Sequence, residues 1–490
     1  MTDPPEPGRS GRRAVAVASA TQMMVVLDAA VLSVALPRMA SDLHVGTGAL
    51  PWVMNAYALP FAGCLLLGGR VADLLGPVAS LRIGLAVFGA ASLGAGLAPN
   101  FGALLVCRAV QGLGGALLSP AGLVLLTRAT ASGTERERAI ALWSVTAAVG
   151  ASASALFGGL FTQTLGWRWV LLINVAIAPA LFAASRGAAP PRPAGERRGA
   201  ALDLPGAALF MAAFAGLDLA CTVDGGSHTA RTAGAAAVAV AALVALVVTE
   251  RRARHPLLPL GLLRLPRVAF TNSAAVMLLA GNSATGYYMT LYAQDVCGLP
   301  PLTTALCMLP GTVAGVLTSR SVPRIIQAVG ERGARTAGPV VVAAAQAGLA
   351  VCGRMGAPFG VLVPLLMVLA AGSSIAVVTL TSSATRSLPP HQAGLAGGLI
   401  TASGQSGASL GLAVLTGAAG AITGTAAAAS HAARSAALVE QVGVALPLGA
   451  ALALAAALLA WRIPSGAARV EPVPVPGARA ADDGAHHPYS

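Results

Sequence analysis

Residues 104–116 read LLVCRAVQGLGGA, and one arginine, Arg108, interrupts an otherwise apolar block running over 101–127. About 20 consecutive apolar residues are what a helix needs to cross some 30 Å of hydrocarbon. A guanidinium inside such a span costs at least several kcal/mol unless it faces a wet cavity or a partner acid. Gln111, Gly112 and Gly115 follow Arg108 at i+3, i+4 and i+7, so all four share one helix face. The stretch thus reads as a buried helix with a polar seam and room for a close neighbour.

The same texture extends along the chain. Of 490 residues 56% are hydrophobic and 10% charged, against about 25% charged in an ordinary soluble domain. Aromatic residues are only 4%, and no alternating pattern suggests a barrel. The fold class is an all-α polytopic membrane protein. Apolar spans fall at 14–36, 49–69, 81–98, 101–127, 139–163, 168–185, 204–223, 232–249, 268–292, 302–322, 337–353, 358–383, 395–418 and 443–461. That makes fourteen, an even number that puts both termini on one side of the membrane.

The net charge of +13 rests on arginine, and the chain has no lysine. Of the 31 arginines, 25 fall in loops on the side of the termini, 5 on the opposite side, and Arg108 inside a span. Positive residues mark cytoplasmic loops, so both termini are expected in the cytoplasm. Arginines spread over loops do not form the basic face of a nucleic-acid binder. The six cysteines lie in or beside apolar blocks without metal-ligand spacing and read as small buried hydrophobes. No soluble domain large enough for an ATPase or a cytosolic enzyme exists, and the histidines show no catalytic spacing.

The expected organisation is a cytoplasmic tail at 1–13, a six-helix bundle at 14–185, a linker with two further spans at 186–267, a second six-helix bundle at 268–462, and a disordered tail at 463–490. The Pro- and Arg-rich connector at 186–198 and the basic break at 250–267 set spans 7 and 8 apart. The basic, glycine-containing stretch at 322–336 occupies the place in the second half that 68–77 occupies in the first.

Asp28 lies deep in the first span, in VVLDAAVLSVALP at 25–37. An intramembrane acid is a functional-site candidate by default. Losing hydration disfavours its charged form, so such a group suits loading a proton on one side and releasing it on the other. In span 5, Gly150, Ser154 and Gly158 recur every four residues beside a second small-residue stripe ending at Gly159. Gly311, Gly315 and Ser319 form a comparable stripe in span 10. Such stripes permit very close helix packing.

LDAAVLSVALP at 27–37, GGRVADLLGP at 68–77, LLVCRAVQGLGGA at 104–116 and GASASALFGG at 150–159 together resemble the signature motifs of the major facilitator superfamily. More narrowly, the set is similar to its fourteen-helix drug:proton antiporters. PWVMNAYAL at 51–59, WRWVLLINV at 167–175 and AGLAGGLITASGQSGASLG at 393–411 support the likeness. The resemblance implies two six-helix bundles plus two inserted helices, alternating access and no cofactor beyond the proton motive force. It also implies proton/substrate coupling at Asp28, Arg108 and Gln111, and a cytoplasmic gate at Gly69, Arg70, Asp73 and Gly76. For Gly150, Ser154, Gly158 and Gly159 it implies an antiporter motif at the interface between halves. Two departures stand out. The family's Gly-Pro pair is Ser154–Ala155 here, and Leu74, Pro77 and Val78 replace basic residues of the gate loop. Asp73 is expected to pair with an arginine near span 5 or span 11.

Gln22, Asn55, Tyr57, Asn272, Asn282, Tyr288, Gln294 and Gln405 are candidate cavity residues, each equally suited to an interhelical hydrogen bond. The reading that results is a proton-coupled exporter of a lipophilic drug, antibiotic or secondary metabolite. It is expected as a monomer in the bacterial plasma membrane, with the lipid bilayer, protons and a small molecule as partners. The alternatives are export of a native metabolite, lipid or siderophore, or a membrane sensor or enzyme on the same scaffold.

Overall fold

The computed structural model describes residues 9–46, 49–130, 134–188, 203–222, 229–252, 262, 264–385, 393–423 and 431–464. Most of the expected connector at 186–198, the basic break over 253–261 and the ends of both tails lie outside the described residues. The described chain is helical, with no strand. The helices are α1 (Arg9–Val31), α2 (Leu36–Leu43), α3 (Pro51–Leu75), α4 (Pro77–Gly96), α5 (Phe101–Ala129), α6 (Thr134–Thr164), α7 (Arg168–Ala184), α8 (Leu204–Thr222) and α9 (Thr229–Arg252). They continue with α10 (Pro266–Leu291), α11 (Pro301–Arg354), α12 (Phe359–Thr385), α13 (Ala393–Thr423) and α14 (His431–Arg462).

Among the described residues nine helices are long and apolar enough to cross a membrane, or ten with the bent α3. That bend of 55° falls at Leu66, between an intrahelical proline, Pro60, and the Gly68–Gly69 pair. Proline removes a helical hydrogen bond and glycine supports no side-chain packing, so a kink there has its usual causes. Helix α11 counts once, but its 54 residues are about 80 Å of helix, more than twice a bilayer core. It breaks at Gly330 (φ 77°, ψ 161°) into two rods. The stretch at 322–336, expected as a loop, is therefore two helix ends meeting at one glycine. The α3–α4 junction uses the same device: Gly76 has φ 88° and ψ 152°. Only glycine adopts this region without strain. Two corresponding points in the chain thus share one backbone solution.

Within the first group α1 packs on α5, α6 and α7, α3 and α4 pack on α5, and α4 packs on α7. The later helices repeat this: α10 packs on α12, α13 and α14, and α11 on α12 and α14. Helices α8 and α9 pair with each other, and α8 also reaches α3 and α13. The groups meet through α6 against α11 and α3 against α13. At the end far from the termini, a buried apolar cluster joins both groups, from Leu27, Val31 and Leu32 to Tyr288, Tyr292 and Leu415. Hydrogen bonds bridge the groups there. Gln294 Nε2 donates to the Val34 carbonyl at 3.0 Å, and the Leu302 amide donates to Gln163 Oε1 at 3.3 Å.

The small-residue stripes divide their partners. A Cβ on Gly159 would stand 2.8 Å from Leu302 Cα, so this residue does sit between the two groups. Gly150 and Gly158 instead press on the α1 backbone at Met23 and Val31. Ser154 is buried between them. Gly311 and Gly315 face Leu366, Ala370 and Ser374 of α12 rather than α6. A stripe of small residues fixes how close a neighbour comes, not which neighbour it is. Gly68 is the tightest case on α3, because an added methyl would collide with the Ala116 carbonyl of α5.

Overpacking a close helix contact typically costs about 1–3 kcal/mol. Gly68→Ala is expected to lower the thermal midpoint of detergent-solubilised protein. Gly234→Ala, where a Cβ meets nothing within 4 Å, serves as the control and is expected to melt at or above wild type. Equal midpoints for the two variants count against the α3–α5 contact.

Candidate functional site: a sealed ion pair

Asp28 is fully buried on α1, near the middle of the first bundle. Arg108 approaches it from α5 and is 1% exposed. Arg108 Nη1 lies 2.8 Å from Asp28 Oδ2. The other carboxylate oxygen, Oδ1, accepts from Gln111 Nε2 at 2.8 Å and from Asn174 Nδ2 of α7 at 2.6 Å. Three N–H donors thus converge on one carboxylate, the arrangement that suits an ionised acid.

The arginine is held independently of the acid. Its Nη1 also donates to Gln111 Oε1 at 2.6 Å, and its Nε donates to the Val53 carbonyl of α3 at 3.3 Å. The guanidinium carbon sits 4.5 Å from the Tyr57 ring centroid, a cation–π distance. Gln111 is fixed at both ends, because its Nε2 also donates to Ser92 Oγ of α4 at 2.8 Å. The cluster therefore draws on α1, α3, α4, α5 and α7.

Close packing makes these bonds possible. Gly112 lets α5 lie against the Tyr57 backbone carbonyl, and Gly114 would place a Cβ 2.8 Å from the Phe88 amide nitrogen. Gly115 would place one 2.9 Å from the Tyr57 hydroxyl. The i, i+3, i+4, i+7 face of the 104–116 stretch is thus the face that meets α1 and α3.

Asp28, Arg108, Gln111 and Tyr57 come together as one site. Asn174 and Ser92 complete it without having been singled out. The signal for Asn174 was present, as a lone amide inside the apolar WRWVLLINV run. Ser92 carries no such signal, because serines are frequent in close-packed membrane helices.

The remaining candidates scatter. Gln22 is half-buried and accepts from Ser119 Oγ at 3.2 Å. Asn55 is buried on α3. Asn272 accepts from Ser403 Oγ at 2.9 Å, and Asn282 donates to Ser373 Oγ at 2.9 Å. Tyr288 belongs to the far-end apolar cluster and packs edge-on against Tyr287. Gln294 bonds the Val34 carbonyl at the far end, and Gln405 is half-buried on α13. In the loop motif, Asp73 lies 3.9 Å from Arg128 at the end of α5, with its side chain 64% exposed. The ion pair seen here joins Asp73 to an arginine just before α6, the first of the two places where a partner is expected. A Cβ added to Gly69 would stand 3.8 Å from Pro120 Cβ, Arg70 is half-buried, and Gly76 makes the turn described above.

Comparisons place the chain. It is 37% identical over 411 residues to the cephamycin export protein of Amycolatopsis lactamdurans, covering 82% of this chain and 84% of that one. It is 32% identical to the puromycin resistance protein of Streptomyces alboniger, covering 90% and 89%. It is 31% identical to the tetracenomycin C resistance and export protein of Streptomyces glaucescens, covering 80% and 73%. Among solved structures, an auto-inhibited POT family peptide transporter matches with a TM-score of 0.68 at 17% identity, covering 95% of this chain and 99% of that one. A D-xylose–proton symporter matches with a TM-score of 0.64 at 13% identity, covering 92% and 97%. The major facilitator superfamily model matches residues 18–412, a stretch that holds every member of the Asp28 cluster. The chain is therefore a multi-pass membrane transporter of the major facilitator superfamily.

Proposed function

We propose that the protein exports a lipophilic antibiotic or related secondary metabolite from the cytoplasm in exchange for protons, across the bacterial plasma membrane. The observation that carries this reading is the sealed Asp28–Arg108 pair. A transporter that only binds a neutral substrate has no need of an ion pair without water contact inside a helical bundle. One that trades a proton for substrate needs an acid whose charge changes the packing around it. The functions of the relatives support the direction and the substrate class: cephamycin export, puromycin resistance, and tetracenomycin C resistance and export.

In this reading Asp28 carries the proton. Arg108 and Gln111 orient the carboxylate, and Tyr57 backs the guanidinium. The chain spans the membrane fourteen times, with both termini cytoplasmic, two six-helix bundles and α8–α9 inserted between them. The arginine distribution supports this orientation. The far end is then extracellular, and the cross-group contacts at Gln294, Gln163 and Gly159 close it. Asp28 meets water only when the helices part, which ties proton exchange to alternating access. Asp73 with Arg128, and Gly69, Arg70 and Gly76, form the cytoplasmic hinge between α3 and α4. Gly150, Ser154, Gly158 and Gly159 let α6 slide against α1 and α11. The protein works as a monomer and takes its energy from the proton motive force.

Expression in a pump-deficient bacterium, challenged with a panel of lipophilic antibiotics, tests the function. Tolerance to at least one compound is expected to rise and to collapse with a protonophore. Asp28→Asn is expected to fall to the empty-vector level. Wild-type proton-driven efflux by Asp28→Asn in everted vesicles would sink the assignment of the proton to this residue.

The pair also has a stability consequence. Removing one partner of a buried ion pair leaves an uncompensated charge and typically destabilises by about 3–5 kcal/mol. Arg108→Met is expected to lower the thermal midpoint strongly, and the double variant Asp28→Asn/Arg108→Met is expected to recover most of that loss. A double variant no more stable than Arg108→Met alone would show that the lost charge balance is not what destabilises the single variant.

A further inference from the structure

Asn174 holds a different position from the other amide in the cluster. Both ends of the Gln111 amide are committed: Oε1 accepts from Arg108, and Nε2 donates to Asp28 and Ser92. Turning Gln111 over would aim its N–H groups at a guanidinium. Asn174 is committed at one end only. Its Nδ2 donates to Asp28 Oδ1 at 2.6 Å, while its Oδ1 is buried with no hydrogen-bond partner, on a residue that is 0% exposed. Buried polar atoms are normally paired, and each exception calls for a reason.

The reason lies in what Asp28 needs when it takes a proton. An ionised carboxylate only accepts, whereas a protonated one must also donate its O–H. The groups bonded to Asp28 are the guanidinium of Arg108 and the amide N–H groups of Gln111 and Asn174, all donors. Among the described residues of the helices packed around it, the charged or titratable neighbours of the cluster are Arg108 of α5 and Tyr57 of α3. Helices α4 and α7 contribute the neutral Ser92 and Asn174, and α6 presents Gly150 and Gly158 to α1. As the cluster stands, no group bonded to Asp28 offers an acceptor for a carboxyl proton. Half a turn of the Asn174 amide about its terminal torsion supplies one.

We infer that Asn174 is a positioning residue that follows the proton on Asp28: it donates to the ionised carboxylate, and it turns over to accept from the neutral acid. The step balances simply. A proton from water adds to Asp28 Oδ1, no other covalent bond changes, and the proton later returns to water on the opposite side. Gln111 keeps donating to the same oxygen throughout, and Arg108 keeps its bonds to Gln111 and Val53. The orphaned carbonyl oxygen is therefore the unused half of a two-way switch. This inference rests on Asp28 being the proton site.

Infrared difference spectra of purified protein in lipid, recorded on acidification, test it. With isotope-labelled asparagine in the wild-type protein, a carboxyl band is expected to rise together with a shift of a side-chain amide carbonyl from unpaired to hydrogen-bonded. Asn174→Leu is expected to lose the amide change while keeping the carboxyl band at an altered frequency. Tyr57→Phe, which removes the other unpartnered atom beside the site, is expected to keep the amide change. Proton-driven efflux by Asn174→Leu is expected to drop by about tenfold, less than the roughly 10²–10⁴-fold that a general acid or base itself contributes, because Asn174 only orients the acid. Antibiotic counterflow, which needs no net proton movement, is expected to stay within about twofold of wild type by the same reasoning. Asn174→Ser, whose hydroxyl can donate or accept by rotating, is expected to restore much of the efflux. An amide band that ignores acidification, or one that persists in Asn174→Leu, overturns the role of Asn174 while leaving Asp28 as the proton site. A carboxyl spectrum that is the same in Asp28→Asn as in wild type overturns the proton site itself.

Discussion

A carboxylate fully removed from water must be balanced, and the first half of this molecule is arranged around doing so at Asp28. Stripping two ions of their hydration costs several kcal/mol each, and their attraction offsets this only with good geometry and further hydrogen bonds. The 2.8 Å contact between Arg108 and Asp28 meets the first condition. Gln111, Asn174, Ser92 and the Val53 carbonyl meet the second. To bring these groups together, α5 must nearly touch its neighbours, hence Gly112 against the Tyr57 backbone and Gly114 against Phe88. Electrostatics at one atom pair thereby dictates small residues along the α5 face.

The two halves use the same frame but not the same chemistry. Each turns between its second and third helices at a glycine of positive φ, Gly76 or Gly330. Each clamps the end of its last helix with arginine from the start of its third. Arg82 donates to Ser185 Oγ and lies over the Phe182 ring, while Arg335 donates to the Ala460 and Ile463 carbonyls and Arg332 lies over Trp461. Ser92 lies sixteen residues past the first junction, and Gln346 sixteen past the second. In the first half that position serves an ion pair. In the second, Gln346 donates to Thr285 of α10, and the contact is neutral. A repeat whose matching position serves an ion pair in the first half and a neutral contact in the second concentrates ion chemistry at that depth on one side of the molecule.

Much of this was legible in the chain, for definable reasons. Charge inside an apolar run has few explanations, so Asp28 and Arg108 stood out, and a spacing of three residues placed Gln111 on the face of Arg108. The all-helical membrane fold followed from the apolar blocks alone. What tertiary packing decides was harder to see. Asn174 and Ser92 are ordinary polar residues until α7 and α4 are seen to point them at Asp28. The Gly311–Gly315 stripe announced a close neighbour without saying that it is α12. The basic stretch at 322–336 resembled a loop because it is polar, yet helices run past the hydrocarbon and need only Gly330 to turn. The loop-motif acid meets Arg128, one residue before the end of α5, because α5 extends beyond its apolar segment.

The way Arg108 is held bears on how a pump can cycle. Had Asp28 been its only partner, neutralising the acid would strand a buried guanidinium and threaten the bundle. Instead the Gln111 Oε1 atom, the Val53 carbonyl and the Tyr57 ring all hold the cation without using Asp28. On the proposed cycle the cluster then alternates between net zero and one positive charge while the arginine stays in place. The change falls on the α1 side of the cluster, and α1 is the helix that α6 contacts through Gly150 and Gly158. On that proposed cycle, a proton arriving at Asp28 loosens α1 from an arginine that does not move. That gives a local charge change a mechanical consequence at the seam where α6 runs between α1 and the second half.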